Sequence, residues 1–175
     1  MNRKKKWIVI AFVAVVLVLT LSSVVYAATG SKEGSKTSGN GQLVAKIMMG
    51  LGLSMGLAGS AMGLSISFSA LLGGGPENFY KYISVALMPA SQGIYSMVVL
   101  FTNLSLLDSN PYTAAGKGAI VGLVMGLSAW YQGIVCASGI RNCLEGRNTI
   151  GNALVSGAMP ETYAVFGLVM TFIIK

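Results

Sequence analysis

Four long apolar segments, at about 43–72, 80–106, 112–140 and 148–174, alternate with short polar or glycine-rich connections at 73–79, 108–111 and 141–147. A helix rises 1.5 Å per residue, so each segment reaches across a hydrocarbon core of about 30 Å. The pattern predicts four membrane-spanning helices. Connections this short leave neighbouring helices antiparallel, which divides the chain into two helical hairpins, 43–106 and 107–175. A fifth apolar stretch, 7–21, follows Arg3, Lys4, Lys5 and Lys6 and precedes small residues ending at Ala27. This is the pattern of a signal peptide over 1–27, cleaved after Ala27. An uncleaved additional helix is the competing reading, because 7–28 is just long enough to span. Either way 28–42, rich in Gly, Ser and Lys, is expected to be a flexible extracytoplasmic tether. The first and third connections then face the cytosol. Arg141 and Arg147 agree with that orientation, whereas Lys32, Lys36, Lys46 and Lys117 oppose it.

The two hairpins resemble each other. A shift of 70 lays Met55, Gly56 and Leu57 on Met125, Gly126 and Leu127, and Gly63 on Gly133; a shift of 71 lays Met88 and Pro89 on Met159 and Pro160. The chain thus reads as a duplicated hairpin. In this register Ala90 stands where the second copy has Glu161, and Met62 where it has Gln132. The first and third segments also share a dense spacing of small residues, with G-x-x-x-G at 52–56, 59–63, 118–122 and 122–126. Small residues let helix backbones approach closely, and their repetition in both copies suggests a crowded surface between chains, as at the inner wall of a narrow ring.

Composition excludes a soluble domain: 54% of residues are hydrophobic, 10% are charged and there is no histidine. The formal charge of +7 suggests nucleic-acid binding until it is located. Nearly all of the excess lies before residue 47, and no basic face interleaved with aromatics follows it. No nucleic-acid partner is expected. Cys136 and Cys143 lack both C-x-x-C spacing and a histidine, and read as packing thiols. No G-x-x-x-x-G-K-[ST] loop is present, so the chain is not expected to hydrolyse nucleotides or to need an organic cofactor.

Within this apolar background Glu161 is the one carboxylate placed inside a hydrophobic segment. A charge at the bilayer centre costs roughly 2.5–3.5 kcal/mol on insertion scales, so an intramembrane acid points to an ion or proton path. Gln92 and Gln132 lie at comparable depth in two other segments. Met88, Ser91, Gln92 and Tyr95 are spaced to share one helix face, and Pro89 frees backbone oxygen near Met88. A carboxylate, two amide carbonyls, a hydroxyl and a backbone carbonyl form an oxygen set sufficient for Na⁺. Tyr95 could hold the carboxylate in position.

The runs Leu87-Met88-Pro89-Ala90-Ser91-Gln92-Gly93-Ile94-Tyr95 and Met159-Pro160-Glu161-Thr162-Tyr163-Ala164-Val165-Phe166-Gly167-Leu168, with Gln132-Gly133-Ile134, closely resemble the membrane rotor proteolipid of V/A-type ATPases, the protein of the c-ring. The resemblance covers about 43–175 and implies an all-α, multi-pass cell-membrane protein whose four-helix protomers form a homo-oligomeric ring. It implies Na⁺ ligation by the Met88 carbonyl, Ser91, Gln92, Gln132 and Glu161, with Tyr95 hydrogen-bonded to the acid and H⁺ as the alternative cargo. Ser91 stands where Thr is usual and Met88 where Leu is usual. Implied partners are the lipid bilayer, a membrane stator subunit bearing an arginine, and central-stalk subunits at the cytosolic loops 73–79 and 141–148. ATP hydrolysis or synthesis would belong to soluble subunits. A small secondary transporter or channel is the alternative from another class.

Overall fold

A computed structural model describes residues 38–174. The expected signal peptide, 1–27, and the tether residues 28–37 lie outside the described residues. The elements are α1 (Ser38–Leu72), α2 (Pro76–Leu87), a 3₁₀ turn (Met88–Ala90), α3 (Ser91–Thr102), the short α4 (Leu106–Ser109), α5 (Pro111–Leu144) and α6 (Ile150–Ile173). There is no strand among them. Among the described residues four helices are long and apolar enough to cross a membrane: Asn40–Leu72, Pro76–Thr102, Pro111–Leu144 and Ile150–Ile173. The chain is a multi-pass membrane protein. Phe101, Val155 and Phe166, each more than 60% exposed, belong to an apolar exterior that water would not tolerate and lipid does.

Local chemistry explains the boundaries. Gly75 adopts φ 78°, a left-handed conformation that suits glycine, and Pro76 opens α2 at its first turn. Pro111 does the same for α5, where the Asn110 side chain accepts from the Thr113 amide. Thr149 caps α6 by accepting from the Asn152 amide. Four boundaries differ from the sequence reading. Residues 76–79 already belong to α2, which leaves 73–75 as the first connection. Residues 38–42 already belong to α1. The second connection is longer than expected and contains α4. Arg141, Asn142, Cys143 and Leu144 complete α5 instead of forming a loop, because Cys143 is buried and hydrophobic contacts continue to the helix end. The remaining third connection, 145–149, carries an exposed Arg147–Glu145 ion pair.

Packing adds to the glycine reading. The small faces of α1 and α5 meet each other inside one chain. A Cβ on Gly59 would overlap the Gly126 carbonyl and come 2.5 Å from its Cα; one on Gly118 would come 2.5 Å from the Met48 carbonyl oxygen. Gly133 lies equally tight against Gly63. Such contacts bring two backbones together where lipid offers no hydrophobic drive to associate, so close van der Waals packing carries the seam. Gly56 instead makes room for Ser96 of α3. Around the seam lie apolar clusters at three depths. Leu71, Val85 and Ile140 mark one end, Val99, Met125 and Ala164 the middle, and Ala45, Met49 and Ala114 the other end.

Lys117 is only 5% exposed. Its ammonium donates to Asn103 Oδ1 at 2.8 Å, and the Asn103 amide donates to the Val99 carbonyl at 2.8 Å. The charge that complicated the orientation pattern therefore ties α5 to the end of α3, with its head group hydrogen-bonded.

Candidate functional site

Pro89 interrupts the second span. It lacks the amide proton an α-helix needs, and the chain tightens into the 3₁₀ turn Met88–Ala90, in which the Ser91 amide donates to the Met88 carbonyl. That turn gathers oxygens. Ser91 Oγ lies 3.2 Å from the Met88 carbonyl oxygen and 3.3 Å from Gln92 Oε1. Pro160 sits inside α6 at the matching repeat position, yet there the helix stays α-helical.

Three spans converge here. Gln92 and Gln132 are both 0% exposed, which in an apolar setting obliges their amides to find partners. Gln92 Nε2 donates to Gln132 Oε1 at 2.5 Å. Gln132 Nε2 donates to the Gly157 carbonyl at 2.9 Å and to Glu161 Oε2 at 3.3 Å. Tyr95 donates its hydroxyl to Glu161 Oε1 at 3.0 Å. All six residues named from the sequence thus stand in one connected network between the hairpins. The orientation of Gln132 differs from the expected one. Its carbonyl is taken up by Gln92 and its nitrogen faces the acid, because a carboxylate accepts hydrogen bonds and attracts the donor end of the amide.

Glu161 is half-buried and makes no ion pair among the described residues; its partners are two neutral donors. Nor do the described residues contain a group of three or more His, Cys, Asp or Glu that could hold a metal. A site with one negative charge and neutral oxygens around it suits a monovalent ion or a proton better than a divalent metal.

The sequence reading missed the ties that hold this network to its helices. In the first hairpin Ser60 donates to the Pro89 carbonyl at 2.5 Å and Ser67 to the Ala86 carbonyl at 2.7 Å. In the second, Ser128 donates to the Pro160 carbonyl at 2.5 Å and Gln132 to that of Gly157. Under the 71-residue shift Ala86 corresponds to Gly157 and Pro89 to Pro160, so both hairpins bind the segment around their proline at equivalent carbonyls. The repeat marks these carbonyls but not the hydroxyls that bind them, since Ser60 falls on Trp130 or Tyr131 and Ser128 on Ala58 or Leu57. Cys136, fully buried, packs with its sulfur 4.0 Å from Met88 Sδ, beneath the turn.

Residues 115–174, which carry Ser128, Gln132, Pro160 and Glu161, match the family model of the ATP synthase C-subunit. This segment is thus similar to the ATP synthase C-subunit. Two relatives extend the likeness. The chain is 30% identical over 132 residues to the A-type ATP synthase subunit K of Methanocaldococcus jannaschii, covering 72% of this chain and 60% of that relative's length. It is 28% identical over 149 residues to the V-type sodium ATPase subunit K of Enterococcus hirae, covering 79% of this chain and 94% of that one. The family segment supplies the acid and Gln132; Met88, Ser91, Gln92 and Tyr95 come from the first hairpin, outside the matched residues. The network therefore needs both hairpins of the chain.

Proposed function

We propose that this chain is the ion-carrying rotor-ring subunit of a V/A-type rotary ATPase and that its cargo is Na⁺. The observation that carries this reading is a mid-span carboxylate held between two hairpins by neutral donors, with a cluster of neutral oxygens beside it. Such an acid is stable against lipid only when an ion or proton neutralises it, and is stable ionised when a fixed cation stands opposite. Rotation past a stator arginine would then couple movement to release.

In the sodium-loaded site, Glu161, Gln92 Oε1, Ser91 Oγ and the Met88 carbonyl surround the ion, and Gln132 turns its amide to present oxygen. Tyr95 keeps its bond to the carboxylate. The sodium ATPase relative supports Na⁺ over the alternative, H⁺. Proton loading would require no turn of Gln132, since protonating Glu161 satisfies the acid by itself. Stalk subunits would meet the connections 73–75 and 145–149, and ATP chemistry would belong to the soluble subunits.

Two measurements test the reading. Native mass measurement in detergent should return a closed ring of many copies; a monomer or dimer would favour a transporter or channel. A hydrophobic carbodiimide attacks the protonated carboxyl, and bound Na⁺ requires the deprotonated one. Added Na⁺ should therefore slow labelling of Glu161 and displace its pH profile towards lower pH. Labelling that falls with rising pH but ignores Na⁺ up to high millimolar levels would leave the proton rotor as the better account.

A further inference from the structure

We propose that Ser128 and Ser60 are positioning residues of the ion site, each holding its hairpin's proline carbonyl and thereby setting the register between the two halves of the site. The inference rests on the ion-carrying reading above and adds two residues to it.

Hydroxyls in membrane helices ordinarily bond back to their own backbone, three or four residues earlier. Here Ser54, Ser69, Ser96, Thr102, Thr162 and Thr171 do so. Ser60 and Ser128 instead each reach a different span, at 2.5 Å, and each finds the carbonyl of a proline. They are 6% and 7% exposed, so little water competes for the bond. The Pro160 carbonyl belongs to the peptide unit that includes the Glu161 nitrogen. Fixing that plane fixes the atom from which the carboxylate hangs. The Pro89 carbonyl belongs to the next peptide unit after the Met88 carbonyl, within the turn that also leads into Ser91 and Gln92.

The oxygen cluster therefore hangs from a 3₁₀ turn anchored on α1 through Ser60, and the acid from a stretch of α6 anchored on α5 through Ser128. The inner helices α1 and α5 are themselves locked backbone to backbone at Gly59 and Gly126. A change of a few tenths of an ångström at either anchor changes the distance between carboxylate and neutral oxygens, which is what cation affinity reads. A purely structural hydroxyl would affect the amount of assembled protein without touching that affinity.

The test uses the assembled complex in native membranes and reads the Na⁺ concentration that half-protects Glu161 from carbodiimide. Ser128→Ala should raise it about three- to tenfold, the range of one interhelical hydrogen bond in a membrane, with ring mass unchanged. Ser60→Ala should act in the same direction, and Ser128→Thr, which keeps the donor, should stay close to wild type. An unchanged midpoint in assembled Ser128→Ala beside a sodium-sensitive wild type overturns the inference and leaves the ion reading standing. If wild type ignores Na⁺, the sodium reading fails, and the inference is judged on the pH of half-labelling, where an unshifted Ser128→Ala overturns it. Should Ser128→Ala not assemble, Ser128→Cys takes its place: a weak donor of similar volume whose midpoint equals wild type also overturns it.

Discussion

A Glu161→Gln chain should assemble, take up no carbodiimide at this position and carry no ion. The substitution keeps size and shape, so Tyr95 retains an acceptor and Gln132 satisfies the new amide by presenting its oxygen. Only the charge disappears. At an effective dielectric of 20, a unit pair about 4 Å apart is worth roughly 4 kcal/mol, close to three decades of affinity. The other acid within a described span, Glu77, stands in the first turn of α2, far along the chain from the proline turn, and cannot replace it. Ion flux into vesicles bearing the complex should therefore fall to background while ring mass is preserved. Persistent flux, or labelling that moves to another side chain, would place the ion path elsewhere.

Gly59→Leu should remove the folded protein altogether. Its Cβ alone would overlap the Gly126 backbone, and backbone cannot swing aside as a side chain can. Relief requires α1 and α5 to separate, which breaks the contacts of their whole seam and pulls the turns held by Ser60 and Ser128 apart. Recovery of the detergent-extracted protein by gel filtration should drop to near zero. Gly50→Leu is the matched control: nothing lies within 4 Å of its Cβ, so the single chain should fold normally. Recovery of Gly59→Leu at wild-type level, with only the ring lost, would return the glycine seam to the interface between copies.

The four spans and the site network were legible in the sequence for one physical reason. In lipid the backbone satisfies its hydrogen bonds locally, so apolar length announces a helix, and a buried polar residue is costly enough to stand out. Glu161, Gln92, Gln132 and Tyr95 stand out in this way, and the proline repeat pointed to where the turns lie. Small hydroxyls do not stand out. Serine is tolerated anywhere along a membrane helix, so nothing in the sequence distinguished Ser128 and Ser60 from Ser54 or Ser69.

By itself the sequence determined a duplicated membrane hairpin with one acid deep in a span, because helix length, connection length and the position of a charge are one-dimensional properties. Tertiary structure alone decided how each helix is rotated about its axis. That rotation turned the glycines of α1 and α5 towards each other within one chain, placed the Lys117 ammonium on Asn103, and aimed the Gln132 nitrogen at Glu161. A helix that is apolar nearly all round carries little hydrophobic asymmetry to specify its rotation. The rotation is set by close packing and by the few hydrogen bonds between spans, and both exist only once the helices have met.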